Sequence, residues 1–209
     1  AAGAGVASLA SPTGAAAAAS ATDAASPTAA SSAASGSAPA SPAESKDDGL
    51  TWQWLSEIPT RKGDDAVKSY HELHGVEAAD GTIIVQIRNH NKADAGGTLQ
   101  TESKDGGKTW TEPHAITFGL PSHLLRLRDN RLIMTYGHRR PPFGNQARIS
   151  SDHGKTWSDP IIISGDGKGG DLGYPSTVEL ADGTLLTVWY ESMKEPKLAV
   201  LRQAKWKLE

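Results

Sequence analysis

Downstream of about residue 70 the apolar positions come in short runs, each broken by an acidic or polar pair. The pattern reads Val76-Glu77-Ala78-Ala79-Asp80-Gly81-Thr82-Ile83-Ile84, then Leu125-Arg126-Leu127-Arg128-Asp129-Asn130-Arg131-Leu132-Ile133, then Val178-Glu179-Leu180-Ala181-Asp182-Gly183-Thr184-Leu185-Leu186. Asp-Gly or Asp-Asn between β-rich runs predicts a tight hairpin. A second motif, Ser-x-Asp-x-Gly-x-Thr-Trp, interleaves with the first as Ser45–Trp52, Ser103–Trp110 and Ser150–Trp157. Its Ser and Asp side chains can bond nearby backbone amides, its Gly supplies a φ > 0 position, and Thr-Trp is expected to open a strand with an apolar anchor. The three motif aspartates, Asp47, Asp105 and Asp152, lie 58 and then 47 residues apart. Self-similarity at such a period marks a repeat architecture.

Interleaving the two motifs gives a unit of strand 1, tight turn, strand 2, strand 3, Ser-x-Asp turn and strand 4. Four antiparallel strands per unit describe a propeller blade, so the predicted class is all-β, a β-propeller of four-stranded blades. One unit runs from about Tyr70 to Ile116 and the next from Pro121 to Ile163. A third runs from Tyr174 to Leu208, with Ala204–Leu208 expected in place of a fourth strand. Thr51–Ile58 reads as the outer strand of a further blade. Propellers close with roughly four to eight blades, so the expectation is an incomplete propeller of three blades and one outer strand. Either an amino-terminal half or self-association of the chain is then the expected completion.

Composition separates the first 44 residues from the rest. They are almost all Ala, Ser, Pro, Gly and Thr, with Asp23 and Glu44 the only charges. Such a stretch cannot offset the entropy of ordering and is expected to be disordered. It has neither a basic leader nor a continuous apolar core, so no membrane span is expected. Residues 45–209 are long enough for one domain with a core. A net charge of −3 does not point to nucleic acid. The absence of cysteine removes thiol nucleophiles and zinc-thiolate sites.

Register locates candidate chemistry. Glu72 and Tyr174 each lie eight residues before a turn aspartate, at the start of the innermost strand of their units. Arg88, Arg139 and Glu191 end the second strands, which return to the same rim. These five side chains are expected to converge around the axis, with the Ser-x-Asp turns on the opposite rim as structural elements. Arg140 and Arg148 lie close enough in sequence to compete with Arg139. His71, His74 and His90 cluster in sequence, but strand alternation separates His71 from His74, so no metal site is expected. No cofactor is implied.

A Tyr, two Arg and two Glu at a propeller mouth, with the Asp boxes behind them, resemble the sialidase (neuraminidase) superfamily. The resemblance covers about residues 45–209. Glu72-Leu-His-Gly-Val-Glu77 through Asp80-Gly81 to Arg88 is similar to the segment bearing the family's catalytic Glu and a triad arginine. Tyr174-Pro-Ser-Thr through Asp182-Gly183 to Tyr190-Glu191 is similar to the segment with its nucleophilic Tyr. The resemblance implies an exo-α-sialidase-like retaining glycoside hydrolase with Tyr174 and Glu72 catalytic. Arg88 and Arg139 would then bind the substrate carboxylate, and Glu191 would steady another triad arginine. Partners implied are sialylated glycans or other carbohydrates, and family habit favours a secreted or periplasmic location.

Two family essentials are not matched here: the first triad arginine, and an Asp general acid, whose absence usually costs about 10²–10⁴-fold. Residues 1–44 contain no Arg. On this reading Glu191 lacks its partner and the isolated chain is a weak catalyst. Two alternatives stand beside the enzyme: a glycan-binding propeller without chemistry, and an Asp-box glycosidase acting on another sugar.

Overall fold

The structure, a computed structural model, describes residues 42–208. Of the low-complexity segment expected to be disordered, residues 1–44, positions 1–41 lie outside the described residues and Ala43–Glu44 are in a strand. At its end, Ala43–Glu44 (β1) pair antiparallel with Gln53–Trp54 (β2) across the first Asp box. The outer strand expected over Thr51–Ile58 therefore shrinks to two residues. The stretch beyond β2 instead lays Ile58 into an apolar cluster with Ile87 and Leu99.

A single helical turn, Ala66–Ser69 (α1), capped by Asp65, precedes the first blade. That blade comprises Tyr70–Glu77 (β3), Ile83–Asn89 (β4), Gly97–Ser103 (β5) and His114–Phe118 (β6), paired in that order. The second comprises Ser122–Arg126 (β7), Leu132–His138 (β8), Gly144–Ser150 (β9) and Ile161–Ser164 (β10). The third holds Leu172–Glu179 (β11), Leu185–Met193 (β12) and Leu198–Trp206 (β13). All pairings are antiparallel, and among the described residues no sheet closes. Ala204–Trp206 end the third strand of the last blade, in register with Leu185–Thr187, and do not stand in for a fourth.

Both repeated turns form as their residues dictate. In the β3–β4, β7–β8 and β11–β12 hairpins the turn aspartates Asp80, Asp129 and Asp182 accept from the amide two residues on, each at 3.0 Å. The next residue, Gly81, Asn130 or Gly183, takes the positive φ that Gly and Asn tolerate. In the Asp boxes, Asp Oδ1 of Asp47, Asp105 and Asp152 accepts from the Thr amide four residues on at 2.8–2.9 Å. Oδ2 takes the same Thr hydroxyl at 2.6 Å in all three copies. The box Trp does not begin the next strand: β6 starts at His114 and β10 at Ile161. Trp110 and Trp157 are anchors against neighbouring structure.

The blades stack face to face. Ala78, Ile84, Leu124, Leu132, Met134 and Tyr136 form the layer between the first and second. Leu127, Ile133, Ala147 and Leu185, with Trp206 and Leu208 against them, form the layer between the second and third. The middle blade's β8 is therefore buried along six of its seven residues, whereas β12 alternates between buried and half-buried positions. Both faces of β8 are covered, so it reads as a continuous apolar run with only Thr135 polar before Gly137. Pairing of Ile83 with Ser103 and of Arg88 with Thr98 sets the Asp box at the rim opposite Arg88.

Candidate functional site

The rim where β3 and β11 begin and β4 and β8 end gathers most of the predicted residues. Glu72 and Tyr174 each sit within a register shift. One lies between Tyr70 and Leu73 in the β3–β4 pairing, the other between Gly173 and Ser176 in β11–β12. A bulge of this kind re-aims a side chain out of the regular alternation. Tyr174 also adopts φ 51°, a left-handed conformation that costs a bulky residue energy and is held by its surroundings. Beside it, a Cβ on Gly137 would lie 3.0 Å from the Gly173 Cα. Alanine at Gly137 would press on three backbone atoms at 3.0–3.3 Å, so the second and third blades meet tightly behind the tyrosine.

The result is a contact across 102 residues of chain: Tyr174 Oη donates to Glu72 Oε1 at 2.6 Å. Arg88 Nη1 reaches both, at 2.9 Å from Glu72 Oε1 and 2.7 Å from Tyr174 Oη. Its Nε donates to His90 Nε2 at 2.7 Å. Tyr174 is 46% exposed, so its hydroxyl can meet a ligand. The hydrogen bond to the Glu72 carboxylate, then burial, raises the Tyr174 hydroxyl above its usual value. Burial pushes the Glu72 carboxyl up, but the Tyr174 hydrogen bond and the Arg88 charge outweigh it and leave Glu72 below the ordinary range. Both shifts keep the proton on Tyr174 in the resting site and leave Glu72 an ionised acceptor 2.6 Å from it.

Arg139 follows β8 and lies with its guanidinium carbon 5.9 Å from the Tyr174 ring centroid, the same distance as that of Arg88. Its Nε and Nη2 are buried without a protein partner. Arg140 turns away and stacks at 3.4 Å over the Phe118 ring. Arg148 bonds Tyr136 Oη and the Ser158 carbonyl on the second blade. Of the three arginines, Arg139 is the one that lies against the Tyr174 ring.

Glu191 departs from expectation. It is 1% exposed, and its carboxylate accepts from the Lys168 amide at 3.0 Å and from Arg202 Nη1 at 2.6 Å. It therefore has a partner, Arg202 on β13, and presents no free oxygen for direct substrate contact. Arg202 also holds Asp166 through both terminal nitrogens, tying the 166–168 loop to the third blade. Sequence register could not reveal this arginine, which belongs to a third strand with no repeated marker. Sequence register does not single out Tyr190 or Asp171, and it presents His90 only as a metal candidate: Tyr190 Oη donates to Asp171 at 2.5 Å and its ring lies 5.8 Å from that of Tyr174. Tyr190 was legible only as the residue before Glu191. Of the histidines, His71 packs edge-on to His90 at 4.7 Å and His74 against His123 at 4.4 Å.

Residues 25–187 match the model of the BNR repeat-like domain. No curated protein matched the chain. Among solved structures, a protein of unknown function from Dyadobacter fermentans aligns with TM-score 0.68 and 29% identity, over 80% of this chain and 45% of its own. A point mutant of NanB sialidase from Streptococcus pneumoniae gives TM-score 0.61 and 21% identity over 80% and 27%. An α-L-arabinofuranosidase of Fusarium graminearum gives 0.56 and 19% over 78% and 53%. The chain spans about half or less of the length of these structures, and the last two likenesses show a shared β-propeller fold alone.

Proposed function

Because the chain belongs to the BNR repeat-like domain family, whose fold it shares with β-propeller glycosidases, we propose that it carries the nucleophile and carboxylate-binding half of an exo-α-sialidase-like retaining glycoside hydrolase. The observation that carries this reading is the Tyr174–Glu72–Arg88 triangle, with hydrogen bonds of 2.6, 2.9 and 2.7 Å. Sialic acid bears a carboxylate on its anomeric carbon, so a carboxylate nucleophile would meet like-charge repulsion. A phenol avoids it, and tyrosine nucleophiles are a recognised departure from the two-carboxylate scheme. In the proposed step Tyr174 Oη bonds the anomeric carbon while Glu72 Oε1 takes its proton and the glycosidic C–O bond breaks. The departing oxygen is protonated by a carboxylic acid that the resemblance assigns upstream of the matched segments. Water then cleaves the tyrosyl intermediate with retention.

Arg88 and Arg139, each with its guanidinium carbon 5.9 Å from the Tyr174 ring centroid, supply the positive charge for a planar carboxylate. Glu191 acts behind the site, through Arg202, by fixing the loop and strand beside Tyr190. The test is calorimetric titration of the chain with a 2,3-unsaturated sialic acid, planar at its anomeric carbon, against arabino-oligosaccharide controls. Saturable binding of the former, lost in Arg88→Met, is expected. Binding of arabino-oligosaccharides alone would overturn the sialidase reading in favour of another sugar.

A further inference from the structure

The guanidinium of Arg88 has one feature that carboxylate binding does not need. Its single Nε–H is given to a histidine, at 2.7 Å from His90 Nε2. A guanidinium is planar, so fixing Nε–H fixes the plane in which both terminal nitrogens lie. Nη1 then falls between Glu72 Oε1 and Tyr174 Oη. We propose that His90 is a positioning residue that sets the Arg88 plane, and that protonation of its imidazole releases Arg88 from Glu72 and Tyr174. This rests on the reading of Arg88 as a carboxylate-binding residue.

The chemistry is one of donor and acceptor. Nε2 can accept only as a bare lone pair, which places the neutral ring's proton on Nδ1. A protonated imidazole offers N–H on both sides, so the contact would become donor against donor and cation against cation. His90 is open to protons because it lines a cavity of about 600 Å³ with Asp64, Asp65, Lys68 and Lys92 on its walls. Four groups bear on its charge: Arg88, His71 and Arg139 oppose protonation, and Glu72 favours it. Burial, then the Arg88 charge, holds the ring below the usual histidine value. The hold is therefore intact at neutral pH and released in acid.

The full chain, labelled with ¹⁵N, tests this without any sugar. The Arg88 Nε–H resonance is identified by its loss in Arg88→Lys. Guanidinium N–H exchange is base-catalysed and slows in acid for any arginine, so the Arg88 ¹⁵Nε shift is followed rather than its exchange: it is expected to move between about pH 8 and about pH 5 in step with the His90 ring resonances. In His90→Gln, whose side-chain oxygen accepts at every pH, the shift stays constant across the range. In His90→Ala it stays near the acid-limit value of the wild type. An Arg88 shift that ignores the His90 titration, or follows the same pH course in His90→Gln, overturns the proposal. A second arm titrates the unsaturated sialic acid at both pH extremes: affinity should fall about tenfold or more in acid for the wild type and not for His90→Gln. If no carboxylate sugar binds at any pH, the sialidase reading fails, while the arginine resonance still decides the role of His90.

Discussion

The two rims of this molecule are built from similar polar residues and treat them in opposite ways. At the Asp-box rim every motif carboxylate is answered within its own turn, by the same amide and hydroxyl in each copy. At the other rim Tyr174 donates across to a carboxylate of the first blade, Arg88 bonds both, and the tyrosine is 46% exposed. Left-handed φ does not separate the rims, because Asp48 and His153 of the Asp boxes share it with Tyr174. What separates them is reach: polar groups that close within one turn make structure, and an exposed triangle assembled from two blades is open to something that arrives. The Glu191–Arg202–Asp166 network, directly behind the open rim, is satisfied among its own members and belongs to structure.

Four substitutions sharpen or break that contrast. The largest effect is expected from Tyr174→Phe: whatever turnover of an aryl sialoside the protein supports should fall by ~10⁴-fold or more, with an unchanged melting curve. Undiminished turnover would remove the tyrosine from the chemistry. Arg202→Met leaves the buried Glu191 charge unpaired and should cost ~3–5 kcal/mol in urea unfolding, although it touches no ligand. A loss below 1 kcal/mol would place this network among the dispensable surface pairs. Arg139→Met removes donors that the fold does not satisfy. Affinity for a carboxylate sugar should drop ~10–100-fold while stability holds or rises. A clear loss of stability would mean that Arg139 serves the fold after all.

The smallest effect belongs to the Asp boxes. Asp152→Ala should destabilise by ~1–3 kcal/mol and leave sugar binding as it was. The sign of its pH dependence follows from the carboxyls of Asp105 and Asp152. The Asp105 carboxyl is drawn down to about 2 by the hydroxyl and amide of Thr109. Against the cost of burial, Thr156 and Ser150 draw the Asp152 carboxyl down to about 2 as well. A carboxyl lowered on folding stabilises above its unfolded value and loses that contribution as pH falls through its folded one. Melting temperature should thus be flat at mild pH and fall from about pH 4 toward about pH 2, less steeply in Asp152→Ala.

The sequence was legible wherever one residue decides its own backbone. Asp-Gly hairpins and Asp boxes could be placed because their hydrogen bonds close within five residues. Counting from the turn aspartates then carried Glu72, Tyr174 and Arg88 to one rim. What escaped was set by neighbours. The box Trp side chains illustrate this: Trp157 Nε1 donates to Gln100 of the preceding blade at 2.9 Å, and Trp110 Nε1 to Ser56 at 3.0 Å, while Trp52 is 65% exposed. Nothing in the repeated octapeptide distinguishes the three. Nor does hairpin register announce that Glu191 will meet an arginine eleven residues on, across β12 and β13, or that Arg140 will prefer the Phe118 ring.

The left-handed backbone at Tyr174 bears on any attempt to move this site elsewhere. A tyrosine written into the matching position of a regular strand would point where pleating sends it, up or down the sheet. What aims the ring here is a short passage, Gly173-Tyr174-Pro175, pressed against Gly137 of the adjacent blade. A designer transplanting the reactive group into another propeller would need to copy a kink and a glycine on a different sheet before copying the tyrosine. The heritable unit of this site is a shape of main chain shared by two blades, and the side chain is its last letter.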